Sequence, residues 1–335
     1  MLVAATPGLG AASSSEQLLI WRKSPRLRST VTEIFRYDLT AKTIYQVLSD
    51  DDLPLTLWAN HGAIVSQADH LFAIGVFAKR RPLWKRLLTR RMALDASEQP
   101  TIFELYPNPL GRFGKICTLL RGASVKRLWV NHDATRLAYV VESNETPTRR
   151  FLVTRGTHAG AIEEKVDISS RINTRENIGF GGFFPNGNLL IVVEPSAAKN
   201  SQRTRDKAGI FLVTGNGHHW TRIGSRHPFP VAILPSGDCL FRVKPQGIAA
   251  IGPCVQRSAH RQLPVRLSSR ATPIPSPSGK WLGFLTDSVK LPGLSRVALI
   301  SLVSMDPPIE VLLPDIQGSK KSSIGIVGWW NGPKQ

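Results

Sequence analysis

Histidine, cysteine and aspartate are the residues of this 335-residue chain best suited to metal or nucleophilic chemistry, and their spacing speaks against both. Of eight histidines only His218 and His219 are adjacent, at what reads as a turn between two outer strands. Neighbouring side chains of an extended segment point to opposite faces, so this pair makes a poor metal site. Asp50, Asp51 and Asp52 offer the oxygen ligands that calcium takes, but a solvated loop beside basic ones accounts for them as well. Cys117, Cys239 and Cys254 are odd in number and far apart, with no C-x-x-C pair. A disulfide framework or zinc site is not expected, and Cys117 and Cys239, in strand-like runs, read as buried thiols. Neither a Gly-x-Ser-x-Gly elbow nor a Gly-Lys phosphate loop occurs. Gly179, Gly181 and Gly182 precede a strand rather than a helix, which suits close backbone packing better than phosphate binding. No catalytic residue, metal ligand or cofactor is assigned.

The chemistry the chain does advertise is positive charge. Lys and Arg number 43 against 24 acids, a net charge of +19. Such a balance points to an anionic partner or to a surface kept soluble by its cations. Three stretches concentrate it: Arg22, Lys23, Arg26 and Arg28; Lys79, Arg80, Arg81, Lys85, Arg86, Arg90 and Arg91; and Lys199, Arg203, Arg205 and Lys207. Within the second, Leu83, Leu87 and Leu88 share one helical face beside Trp84, and Pro82 suits a helix start. That segment would dock on the body of the protein or lie on an anionic membrane.

What must position these stretches is a degenerate repeat. A polar turn followed by strand-like residues recurs as SSSEQLLIW, SQADHLFAI, HDATRLAYV, PNGNLLIVV, PSGDCLFRV and PSGKWLGFL. Aligned on Leu19, Leu71, Leu137, Leu190, Leu240 and Leu282, the copies are spaced by 52, 66, 53, 50 and 42 residues. About fifty residues suits one four-stranded propeller blade with its loops. In PSGKWLGFL, Pro277 and Gly279 mark a hairpin turn, and Trp281–Leu285 reads as a half-buried strand. Two more strand-like segments follow each copy, such as EIFRYDL and TIYQVL after the first. An innermost strand precedes most of them, as in RLWV, GFGGFF and PVAIL. The first copy lacks that strand, whereas the last is followed by a spare one, SIGIVGWWNG. A ring reconciles the two, because the C-terminal strand completes the first blade and removes an open sheet edge. The expected fold is all-β: a six-bladed β-propeller of four-stranded antiparallel blades, closed between Leu18–Trp21 and Ile324–Trp330. Residues 17–335 are expected to form this single domain, after a flexible leader at 1–16 that reads as a disordered start or a clipped signal peptide.

The repeats PSGKWLGF and PNGNLLIV, with EIFRYDLTAKTIYQVL, resemble those of TolB-like six-bladed β-propellers over about Gln17 to Trp330. The turn Asp of that family is Ser278, Ser236 or Asn186 here, and its third-strand Asp is found only as Asp38. The resemblance implies a propeller like those of periplasmic scaffold proteins or of the gating domains of prolyl-oligopeptidase-type peptidases.

Propeller topology sends all second-to-third-strand loops to one face, so the three basic stretches would share it. The innermost turns of the opposite face hold only Arg136 and Lys280. The expected function is a non-catalytic binding or scaffold propeller for an acidic protein or other polyanion. Its candidate contacts are Arg22, Arg26, Arg28, Arg80, Arg81, Lys85, Arg86, Arg90, Arg91, Arg203, Arg205 and Lys207. An anionic membrane surface is a further partner to consider. Nucleic acid is disfavoured because Trp84 is the lone stacking candidate in these loops. The alternative is an enzyme or enzyme subunit with a site at the channel mouth, for example the propeller partner of a serine peptidase. The chain is expected to be monomeric, and periplasmic or secreted if the leader is a signal peptide, cytoplasmic otherwise.

Overall fold

The structure is a computed structural model that describes residues 16–25, 30–49, 51, 53, 55–57, 64–67, 69–77, 99–106, 112–119, 124–143, 146–172, 177–194, 208–224, 230–242, 249–253, 261–263, 272–287, 295–304, 306–313 and 322–330. Its strands in chain order are β1 (Gln17–Pro25), β2 (Thr30–Asp38) and β3 (Thr43–Ser49), then β4 (Leu55–Leu57), β5 (Ile64–Gln67), β6 (His70–Phe77), β7 (Thr101–Tyr106) and β8 (Arg112–Thr118). There follow β9 (Ser124–Val130), β10 (Arg136–Glu142), β11 (Arg150–Gly156) and β12 (Glu163–Asp167), and β13 (Asn177–Phe183), β14 (Leu189–Glu194), β15 (Gly209–Thr214) and β16 (His219–Gly224). The last are β17 (Pro230–Ile233), β18 (Asp238–Arg242), β19 (Ala249–Pro253), β20 (Arg261–Leu263), β21 (Ile274–Pro275), β22 (Trp281–Asp287), β23 (Ser295–Ser301), β24 (Ile309–Val311) and β25 (Ser323–Trp330).

Pairing sorts them into antiparallel groups of four, taken here as blades. Blade 1 runs β25-β1-β2-β3 and blade 2 runs β5-β6-β7-β8, with β4 also paired to β6. Blades 3 to 6 are β9–β12, β13–β16, β17–β20 and β21–β24. One parallel bridge, Gly328 to Ser66, joins the innermost strands of blades 1 and 2, and the Ser66 hydroxyl donates to the Trp329 carbonyl at 2.8 Å. The expected closure is present: β25 lies antiparallel to β1, with Leu18 opposite Trp329 and Trp21 opposite Gly325.

One turn chemistry builds four of the inner hairpins. The N–H groups of Ala134, Gly187, Gly237 and Gly279 donate back to the carbonyls of Asn131, Phe184, Leu234 and Ser276 at 2.9–3.0 Å. All four donors have positive φ, between 57° and 87°. Glycine accepts that conformation at no steric cost, which explains the recurrent Gly of PNG, PSG and PSG. Blade 3 holds it with Ala134.

The core is a cycle of blade-to-blade faces rather than one central mass. Leu137, Tyr139 and Val141 of β10 pack toward Phe72, Ile74 and Ile102 of blade 2. Ala138 and Val140 of the same strand pack toward Leu189, Ile191 and Val193 of blade 4. Comparable clusters join blades 4 and 5, 5 and 6, 6 and 1, and 1 and 2. Because both faces of each middle strand are covered, Leu282–Leu285 are all buried. The strand expected to be half-buried is therefore buried from Leu282 to Leu285, with Trp281 half-buried, and its weak alternation follows from having apolar neighbours on both sides.

One local reading is corrected, at Cys239. Cys239 is buried and disulfide-bonded rather than a thiol, while Cys117 is free and buried. The innermost segment of blade 2 is two short strands, β4 and β5, both paired to β6. Glu16, placed in the leader, accepts a hydrogen bond from the Ser278 N–H at 2.9 Å, so it docks on the inner turn of blade 6. The remainder of the leader lies outside the described residues.

Candidate functional site

A cavity of about 210 Å³ lies where the six innermost strands meet, lined by residues of β5, β9, β13, β17, β21 and β25. Each strand reaches it because a propeller turns its first strands toward a common axis. The walls are largely apolar, with Trp129, Phe180, Phe183, Ile233 and Ile326 among them. Room on the axis depends on Gly181: a Cβ there would stand 2.3 Å from Cζ2 of Trp129, so the indole fills the place of that side chain. The close backbone packing expected of the GFGG cluster is what the structure has.

Polar groups are few. Gln67 and His132 lie beside the inner turns; Gln67 Nε2 is 3.1 Å from His132 Nδ1 and donates to the His132 carbonyl at 3.2 Å, tying blade 2 to blade 3. Ser276 Oγ is 3.1 Å from Ser278 Oγ. Arg127, in the middle of β9, is the one formally charged residue among the described residues lining the cavity. Burial pushes its guanidinium pKa below the usual value, opposed by attraction to Glu194. Glu194 closes β14 and is exposed, and its carboxylate sits over Gly179.

Of the candidate contacts assigned from sequence to a basic face, Arg22 is the one within the described set. It belongs to β1 rather than to a loop, because the β1–β2 hairpin runs on to the Pro25–Thr30 pair. Arg22 is buried, opposite Glu33 in register, with Nε 2.9 Å and Nη2 2.8 Å from the Glu33 carboxylate and its guanidinium 4.7 Å above the Phe35 ring. Arg26, Arg28, Arg80, Arg81, Lys85, Arg86, Arg90, Arg91, Arg203, Arg205 and Lys207, with the helix expected at 79–94, lie outside the described residues.

On the opposite face Arg136 is not a bare turn cation. It donates to Asn216 Oδ1, whose Nδ2 donates to Glu164 at 2.7 Å, so three side chains link blades 3 and 4. His218 approaches the same Glu164 at 4.0 Å, and His219 opens β16. Among the described residues no three His, Cys, Asp or Glu side chains gather as a metal site would require.

Arg127 is the residue the sequence reading passed over. A signal was available: SVKRLWV alone among the innermost strands carries basic residues, whereas IVSQ, NIGFGGF, PVAI, IP and SIGIVGWW are uncharged.

Comparison with solved structures agrees with this architecture. A chain of the nidogen/laminin complex superposes with a TM-score of 0.52 at 12% identity, covering 94% of this chain and 97% of that one. A chain assigned as TolB from Agrobacterium tumefaciens gives 0.47 at 11% identity, covering 89% and 88%. The β-propeller domain of the Trilobed protease from Pyrococcus furiosus gives 0.41 at 9% identity, covering 78% and 72%. No family model and no curated protein matches the chain. At 12% identity the likeness to the nidogen/laminin chain is one of fold alone, and the strand pairing makes that fold an all-β propeller.

Proposed function

We propose that this propeller is a non-catalytic binding protein that engages an acidic protein or comparable polyanion through the face bearing the connections after β1, β6 and β14. The supporting observation is the strand order. Each of these connections follows the second strand of its blade, and second strands run in one sense around a propeller, so the three leave on the same side. In sequence these connections carry Arg26 and Arg28, the seven cations from Lys79 to Arg91, and the four from Lys199 to Lys207, and the proposal is that they act together from that side. Like charges so gathered repel, and an anionic partner relieves that repulsion. Arg22 contributes differently, by holding the root of the first connection through Glu33.

The test is retention of the full chain on immobilised poly-glutamate under a salt gradient. Replacing Arg80, Arg81, Lys85, Arg86, Arg90 and Arg91 with Gln should move elution to clearly lower salt, since screening acts on each exposed charge. Lys280→Gln, on the opposite face, should leave elution unchanged. Arg136 is unsuitable as the control because its substitution breaks the Asn216 and Glu164 network. Equal shifts from the loop variant and from Lys280→Gln, allowing for their number of charges, would mean that net charge alone governs retention and would defeat the reading.

A further inference from the structure

The axial cavity combines three properties that a solvent-filled propeller core does not require. It is sizeable, at about 210 Å³, against the roughly 150 Å³ of an engineered apolar cavity that accepts benzene. Its walls are aromatic and aliphatic, with Trp129, Phe180 and Phe183 facing it and Gly181 and Gly182 leaving space. Lastly it contains Arg127, whose guanidinium makes no hydrogen bond or ion pair with any described residue; the charge of Glu194 attracts it.

Arg127 is half-buried, and partial desolvation of a guanidinium without such a partner is costly, because it is not repaid by a counter-charge. Exposed Glu194 is screened by solvent and offsets little of that cost. No carboxylate lines the cavity among the described residues, so the local potential is positive. An anion that entered would meet five N–H donors in a planar fork.

We infer that the cavity is a binding site for a carboxylate carried on a small apolar body, with Arg127 as its anchor. The chemistry selects a carboxylate over a phosphate. One guanidinium neutralises one negative charge and matches two coplanar oxygens in a bidentate pair, whereas a phosphate dianion would leave charge uncompensated against apolar walls. The apolar body lies against Trp129, Phe180 and Phe183, and any polar tail meets Gln67, His132 and Ser276 near the inner turns. This site is separate from the polyanion face, since its polar end lies among the innermost turns and not the basic connections.

Such a carboxylate has two sources, a free small acid or the C-terminus of a peptide, and one experiment separates them. Calorimetric titration of the full chain would use benzoate, its neutral isostere benzamide, and a Gly-Gly-Phe tripeptide with a free or an amidated C-terminus. Saturable binding of benzoate, of the free tripeptide, or of both is expected, and which of them binds identifies the source. Benzamide and the amidated peptide should bind at least tenfold more weakly. Arg127→Gln should reduce the acid to the level of its neutral counterpart, and Arg127→Lys should restore part of the difference. The six-residue loop variant should bind the acid as the parent does. If Arg127→Gln does not fold, the comparison of acid with neutral isostere on the parent protein still decides. Equal affinity for acid and isostere, acid binding untouched by Arg127→Gln, or no saturable binding of either acid would overturn the site and leave the cavity holding only water.

Discussion

Trp329 is where ring closure can be tested with one side chain. It lies on β25, is 2% exposed, and packs among Leu18, Ile20 and Phe35 of blade 1 and Leu285, Val297 and Leu299 of blade 6. Its indole N–H also donates to the Ile274 carbonyl of the innermost strand of blade 6 at 2.9 Å. Trp329→Ala removes the buried ring at a cost of about 3–5 kcal/mol. It also leaves the Ile274 carbonyl without that donor, for about 1 kcal/mol more. A loss of about 4–6 kcal/mol is comparable with the whole stability of many domains, about 5–15 kcal/mol. Trp329→Phe keeps most of the volume and drops the hydrogen bond, so about 1–2 kcal/mol is expected. Equilibrium urea unfolding followed by circular dichroism measures both. Removing residues 323–335 takes away the whole strand and should abolish a cooperative transition. A Trp329→Ala protein within about 1 kcal/mol of the parent, or a truncated chain that still unfolds cooperatively, would refute the claim that this seam holds the ring.

The glycines of β13 should differ sharply from one another. A methyl at Gly181 meets the Trp129 ring at 2.3 Å, whereas one at Gly182 meets only Phe180 Cζ at 3.2 Å and Ile233 Cδ1 at 3.3 Å. Gly181→Ala should therefore destabilise by about 1–3 kcal/mol or more and Gly182→Ala by distinctly less, as read by thermal melts. Cys117 offers a pH test. Burial raises its thiol pKa, outweighing the lowering by Arg155 and by the Tyr139 hydroxyl 3.9 Å away. Since the folded state holds the neutral thiol, its contribution to stability is intact below the unfolded pKa of about 8.5 and is lost as pH rises through the higher folded value. Stability should decline above that point less steeply in Cys117→Ala, and native Cys117 should alkylate more slowly at pH 8 than an unfolded thiol does.

Much of the architecture was legible because turn chemistry is local. Gly187, Gly237 and Gly279 announce their hairpins within four residues, and SIGIVGWW announced the closure by having no partner of its own. What depends on register was harder to read. Arg22 looked like a loop cation because its partner is eleven residues away; knowing that Arg22 lies opposite Glu33 makes it a buried ion pair. The disulfide at Cys239 was missed because cysteine spacing reports sequence distance, and strand pairing brings distant positions together. Arg127 was visible as a charge in an apolar strand, but its meaning required the axis that six separate strands define.

The pairing of β25 with β1 bears on how such a chain can be rearranged. Gln17 stands opposite Trp330, so the two ends of the ring are neighbours within one sheet. A linker joining them, with a new opening cut in a connection between two other blades, would yield a circular permutant with every strand pair retained. The seam thus lets the chain ends be relocated to a connection between other blades without changing which strands pair.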